Sequence, residues 1–245
     1  MAASSQSHDA FWLFGYGSLV WRPDLHFDES REGYISGFVR RFWQSSPDHR
    51  GTPKSPGRVC TLVPILPSAK IQPTPSTAER LWGLQTSHLY PGEAPIVHGS
   101  AYHIPAEHAQ AELAKLLHRE IAGYEMVNVK VQCADGQTLR ALVFTATPEN
   151  EHWAGPPADT LAGHEDTTGS ESTAPGHPRS ADADRVDAPW GLTAIASIIA
   201  RSHGPSGPNS EYLSRLVAAL AARGQSDAYL ALLQAAVAAA VTEAA

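Results

Sequence analysis

Apolar residues along this chain fall into two kinds of segment. Short runs rich in β-branched and aromatic residues occupy Phe11–Phe14, Tyr34–Trp43, Arg58–Pro64, Ser100–Ile104, Val127–Cys133 and Leu139–Thr147, and each predicts a strand. Longer segments at Pro105–His118, about Trp190–Arg201, Ser210–Arg223 and Asp227–Glu243 predict helices. Pro105 suits the first turn of the first helix, Gly123 lies just past a plausible end, and Asn209 or Ser210 is placed to cap the third. Strands first and helices mostly after predict an α+β domain rather than a doubly wound sheet. No internal repeat interrupts the pattern.

Two polar stretches read as surface insertions. Ser68–Arg80 is dense in Pro, Ser and Thr, and Gly163–Ala188 has Val186 as its one large apolar residue. The longer stretch buries too little apolar surface to offset its ordering entropy, which predicts mobility. Met1–Ala10 is small and polar, without the apolar stretch of a signal peptide or the arginines of a transit peptide.

With 245 residues, 42% of them hydrophobic, the chain can bury a sizeable core. A net charge of −7 makes it a poor match for nucleic acid or an anionic membrane surface. Cys60 and Cys133 are the only cysteines and form no CxxC pair, which fits a reducing compartment. No apolar run reaches the roughly 18 residues of a spanning helix. Together these features predict a soluble, cytoplasmic protein.

The candidate chemistry centres on two places. In Trp12–Trp21 an apolar strand breaks into a loop with Gly15 and Gly17 at alternate positions. Such a loop lets backbone approach a ligand closely, and its successive N–H groups can hold a carboxylate or an oxyanion. A plain strand-to-turn junction has the same pattern. The second place is Glu120. On a helix, Leu113, Leu116, Leu117 and Glu120 share one face, so the carboxylate closes an apolar stripe near a helix C-terminus. Desolvation and the helix dipole both disfavour its anion there, which suits a general base. A structural ion pair with Arg119 or Arg40 would explain the same placement.

Other constellations carry less. Val20 stands where a dinucleotide loop has its third glycine, and Tyr16 and Val20 replace the glycines of a nucleophile elbow around Ser18. His98, His103 and His108 are spaced by five, which puts them on different helix faces and supports no metal site. Cys60 reads as an inert core residue. Neighbouring strand positions send Arg40 and Arg41 to opposite faces, where one can clamp a substrate carboxylate or both can support the sheet as ion pairs. The alanine-rich end reads as a packing helix.

The loop Gly15-Tyr16-Gly17-Ser18-Leu19-Val20, with Arg40–Gln44, Asp48–Gly51 and Arg119–Tyr124, resembles the ChaC family of γ-glutamylcyclotransferases. The resemblance implies an α+β fold of γ-glutamylcyclotransferase type, a mixed β-barrel-like sheet flanked by helices. It would occupy residues 11–245 behind a tail at 1–10, with insertions near 68–80, 84–98 and 163–188. It implies cleavage of glutathione to 5-oxoproline and cysteinylglycine, with Glu120 as catalytic acid and base and Gly15, Tyr16, Gly17, Ser18, Leu19 and Val20 binding the substrate. No cofactor or metal is implied, and the partner is a small molecule. Ala122 departs from the family, which commonly has glycine there. Asp48, His49, Arg50 and Arg58 match it in a loop that borders a pocket mouth or only pins itself, and Tyr124 either reaches substrate or sits half-buried in a strand. Cyclisation of other γ-glutamyl amino acids or amines, or a non-catalytic regulator on the same fold, are the alternatives.

Overall fold

The computed structural model describes residues 9–65, 89–119, 124–157 and 188–243. Five strands close a barrel in the order β1 (Phe11–Gly15), β5 (Ile96–Ile104), β2 (Glu29–Ser36), β6 (Tyr124–Cys133) and β7 (Thr138–Ala146). Neighbours are antiparallel except at the closure, where β1 runs parallel to β7 with Leu13 opposite Leu142. Strands β3 (Phe38–Ser46) and β4 (Gly57–Pro64) form a separate hairpin. It is stitched to β7 by threonines: Thr145 Oγ1 donates to the Leu62 carbonyl (2.8 Å) and Ala146 N–H donates to Thr61 Oγ1 (2.9 Å). The helices are α1 (Ala106–Arg119), α2 (Leu192–Arg201), α3 (Asn209–Ala221) and α4 (Ala228–Glu243), with the two-residue strands β8 (His203–Gly204) and β9 (Gly207–Pro208) between α2 and α3. This is an α+β fold with a mixed barrel flanked by helices.

Both faces of β1 are covered, which explains its unbroken apolar run. Phe14 joins a large core with Ile35, Val97, Val131 and the inner faces of α2, α3 and α4. Leu13 turns the other way into a smaller cluster with Ile104, Leu116 and Phe144 beneath α1. The alanine-rich end forms α4, whose Tyr229, Leu230, Leu233 and Val237 are buried. Among the described residues no helix is long and apolar enough to cross a membrane.

The structure redraws three boundaries. The run Tyr34–Trp43 is two strands in two different sheets. Gly37 separates them at φ +85, a left-handed backbone that the alternation of side chains does not reveal. Strand β5 begins at Ile96 rather than Ser100, so the last residues of the 84–98 stretch pair with β2, Val97 opposite Ile35 and His98 opposite Tyr34. Finally, Asn209 and Ser210 do not cap α3: its N-cap is Pro208 and no side chain bonds there. Asn209 is fully buried and is consumed elsewhere, accepting from Arg58 N–H (2.6 Å) and donating to the Arg58 carbonyl (2.7 Å). Of the expected insertions, residues 68–80, 84–88 and 163–187 lie outside the described residues, as do residues 1–8 of the tail.

A Cβ on Gly37 would meet nothing within 4 Å, so substitution there tests backbone conformation alone. Gly37→Ala should lower stability by about 1–2 kcal/mol in urea unfolding, with an unchanged slope against denaturant.

Candidate active site

The loop that leaves β1 is held by its carbonyls. Tyr16 offers its carbonyl to Arg40 Nε (3.1 Å), Leu19 to the Tyr102 hydroxyl (2.6 Å) and Val20 to Arg223 Nη2 (2.9 Å). The Tyr16 side chain is buried and its hydroxyl donates to the Phe144 carbonyl (2.9 Å). Residues Ser18–Val20 make a single 3₁₀ turn, with Val20 N–H bonded to the Gly17 carbonyl (3.0 Å) and no side-chain cap at Gly17. The first N–H groups of a helical turn have no partner within the turn. Gly17, at the N-cap, has no side chain to offer them.

Arg40 is buried, and each of its three nitrogens has a partner. Besides Tyr16, it donates to the His98 carbonyl (2.6 Å) and to Asp227 Oδ2 (2.5 Å). Asp227 also accepts from Leu230 N–H (3.1 Å) and so caps α4. Arg41 is equally buried on the other face of β3. It makes a two-point contact with Glu93 (2.5 and 2.8 Å) and lies over the rings of Tyr229 and Tyr90. Of the two readings of this arginine pair, the structure shows buried ion pairs supporting the sheet. Burial, then the Arg40 charge, pushes His98 below the ordinary imidazole value.

A cavity of about 460 Å³ opens beside the loop. Gly15, Tyr16, Gly17, Ser18 and Leu19 all line it, whereas Val20 is not in its lining and packs in the core. Asp48, His49 and Arg50 line it too, but Arg58 does not. The segment bearing them is fixed by close backbone approach: a Cβ on Gly51 would fall 2.1 Å from Gly57 N, which no side chain can occupy. Ser206 N–H bonds to the His49 carbonyl (3.0 Å) and Arg50 Nη1 to the Pro208 carbonyl (3.0 Å), joining this segment to the start of α3.

Sequence reasoning missed the wall that α3 supplies. Tyr212 and Arg215 line the cavity, and the Tyr212 hydroxyl lies 3.2 Å from Cys60 Sγ. A Cβ on Gly17 would sit 3.0 Å from that hydroxyl and 3.1 Å from the sulfur, so glycine keeps the loop close to this wall. Burial pushes the Cys60 thiol up, which keeps it protonated near neutrality and is consistent with an inert residue. Arg22, Arg50 and Arg215 line the cavity with Asp24 and Asp48, and Glu211 pairs with both Arg50 (3.4 Å) and Arg215 (2.5 Å), so the charges around it balance. Glu120 lies outside the described residues. It directly follows Arg119, which ends α1, and Leu116 of the same helix lines the cavity. Tyr124 opens β6.

The family model described as ChaC-like protein matches residues 11–168 and 180–240. The chain is 35% identical over 224 residues to the glutathione-specific γ-glutamylcyclotransferase of Saccharomyces cerevisiae, spanning 89% of this chain and 88% of that protein. It is 37% identical over 158 residues to the Homo sapiens glutathione-specific γ-glutamylcyclotransferase 1, spanning 62% of this chain and 59% of that one. Its fold superposes on the crystal structure of a glutathione-specific γ-glutamylcyclotransferase from yeast with a TM-score of 0.66 and 30% identity, covering 95% of this chain and 97% of the other.

Removing one partner of a buried ion pair strands the other. Arg40→Met should therefore cost about 3–5 kcal/mol in urea unfolding. Asp227→Asn keeps a hydrogen-bond acceptor for the guanidinium and should cost clearly less.

Proposed function

The chain belongs to the ChaC-like family, and from that membership we propose that it cleaves glutathione to 5-oxoproline and cysteinylglycine. The observation that carries this reading is the match to the S. cerevisiae enzyme across 88% of that enzyme's length. The cavity beside Gly15–Leu19 supports it, since about 460 Å³ is within the usual range for small-molecule sites.

The reaction is an internal aminolysis. The α-amine of the γ-glutamyl group attacks its own γ-carbonyl, a C–N bond forms to close the five-membered lactam, and the γ-amide C–N bond to cysteine breaks. One proton leaves the attacking amine and one joins the departing amine, so atoms balance with no further reactant. Because the reacting groups are tethered, holding them in a bent conformer supplies much of the advantage. The role of this chain is to hold that conformer and to carry the proton.

In this reading Glu120 is the proton carrier. At neutral pH the α-amine is mostly ammonium and cannot attack until a base takes its proton. A carboxylate ending an apolar helix stripe is suited to do so and then to return the proton to the leaving nitrogen, a contribution of about 10²–10⁴-fold. The uncapped start of the turn at Ser18 offers N–H donors to the substrate α-carboxylate or to the oxyanion of the tetrahedral intermediate.

Purified protein incubated with glutathione should yield 5-oxoproline and Cys-Gly in equal amounts by mass spectrometry. Glu120→Gln should retain the wild-type circular dichroism spectrum and lose at least about 10²-fold in kcat. A near wild-type rate in that variant would remove Glu120 from the mechanism. Absence of product from folded wild type, with turnover of γ-glutamyl-alanine, would replace glutathione as the substrate.

A further inference from the structure

A second cavity, of about 570 Å³, lies outside the site described above. Its described lining includes Lys54 and Arg58 from the start of β4 and the segment before it, Trp153 beyond β7, and Trp190 and Arg201 at the two ends of α2. Ser45 of β3 lines both cavities, so the hairpin stands between them.

Its charges are unbalanced. Arg58 is half-buried; its Nε is shut off from solvent with no hydrogen-bond partner, and Nη1 donates to the carbonyl of its neighbour Gly57 (3.2 Å). Arg201 bonds through Nη1 to Ser197 Oγ (2.7 Å). Among the described residues neither arginine is paired with a carboxylate. Glu151 is the one acid in the described lining, and its side chain is 75% exposed beside His152. Burial, then the Arg201 charge, holds the Arg58 guanidinium below its ordinary value.

Elsewhere in this protein a buried arginine is matched: Arg40 by Asp227, Arg41 by Glu93. Two guanidinium groups facing one cavity without a counter-charge repel, and the buried Nε of Arg58 has lost hydration that nothing replaces. An oxyanion between them removes both costs, since planar guanidinium forks match carboxylate and phosphate oxygens. The half-buried indoles of Trp153 and Trp190 wall the cavity, and reduced access of water strengthens such a contact.

We propose that this cavity is a second ligand site, which binds a small oxyanion of carboxylate or phosphate type between Arg58 and Arg201. The two indoles make binding observable. In full-length protein labelled with 15N-tryptophan, titration with inorganic phosphate or with succinate at constant ionic strength should shift the Trp153 or Trp190 indole N–H signal saturably. The probe that binds more tightly identifies the oxyanion. Arg201 is exposed, so Arg201→Gln should leave the melting curve unchanged and weaken binding about tenfold or more. Arg58→Lys, which keeps the charge but loses the fork, should weaken it less. No saturable shift with either probe, or equal affinity in wild type and Arg201→Gln, overturns the proposal.

Discussion

The buried guanidinium of Arg40 is the constraint on which the arrangement of the site depends. A cation withdrawn from water must be neutralised and fully hydrogen-bonded, or it shifts the balance against folding by several kcal/mol. Here the partners come from three elements: the Tyr16 carbonyl after β1, the His98 carbonyl in β5 and the Asp227 carboxylate at the start of α4. Satisfying one side chain on β3 thereby ties the loop after β1, strand β5, the hairpin and the C-terminal helix together. Asp227 tightens the coupling, because its other oxygen caps α4.

The same device recurs around the loop. Tyr102 and Arg223 take the carbonyls of Leu19 and Val20, just as Arg40 takes that of Tyr16. Backbone tied down through its acceptors holds its donors in one geometry. Anchoring and lining are thus divided between different residues. Arg40 and Arg41 hold the scaffold, and the Tyr16 side chain is spent on Phe144, while the space beside the loop is bounded by the glycines, Cys60 and Tyr212. Behind that wall, Phe42 N–H donates to the Tyr229 hydroxyl (3.1 Å), and burial pushes that phenol well above its ordinary value. The interior of the hairpin is therefore held by neutral as well as charged polar groups.

Much of the fold was readable along the chain, because strand alternation, helix spacing and turn residues are local signals. All four helices and strands β1, β6 and β7 lie close to where apolar patterning puts them, whereas β2 starts at Glu29 and β5 at Ile96, ahead of the runs expected at Tyr34 and Ser100. Errors fell where one residue's backbone or one side chain's distant partner decided the outcome. Gly37 sits inside an apparently continuous strand run, yet its positive φ sends the chain from the barrel into a second sheet. Asn209 has the chemistry of a helix cap, but two hydrogen bonds to the backbone of Arg58 compete for it and win, since they give both polar atoms of a buried amide a partner. Of the candidate site, the glycine loop was legible in its spacing and lies along the cavity, while Glu120, expected from its place on an apolar stripe, lies outside the described residues. The α3 wall was not found, because Tyr212 looks in sequence like any buried aromatic on an amphipathic helix.

By itself, then, the sequence determined the strand-then-helix order, the glycine-spaced loop at the end of β1, the charge balance and the family to which the chain belongs. These are properties of composition, spacing and motif, each encoded within a few residues. Tertiary structure alone decided which face of the hairpin meets the barrel, how Arg40 and Arg41 are neutralised, and that Cys60 and Tyr212 come to stand against Gly17. Arg40 and Asp227 are 187 positions apart, and Cys60 and Tyr212 are 152 apart. No local pattern specifies partners at such separations. They are selected only when the whole chain packs and every buried polar group must find one.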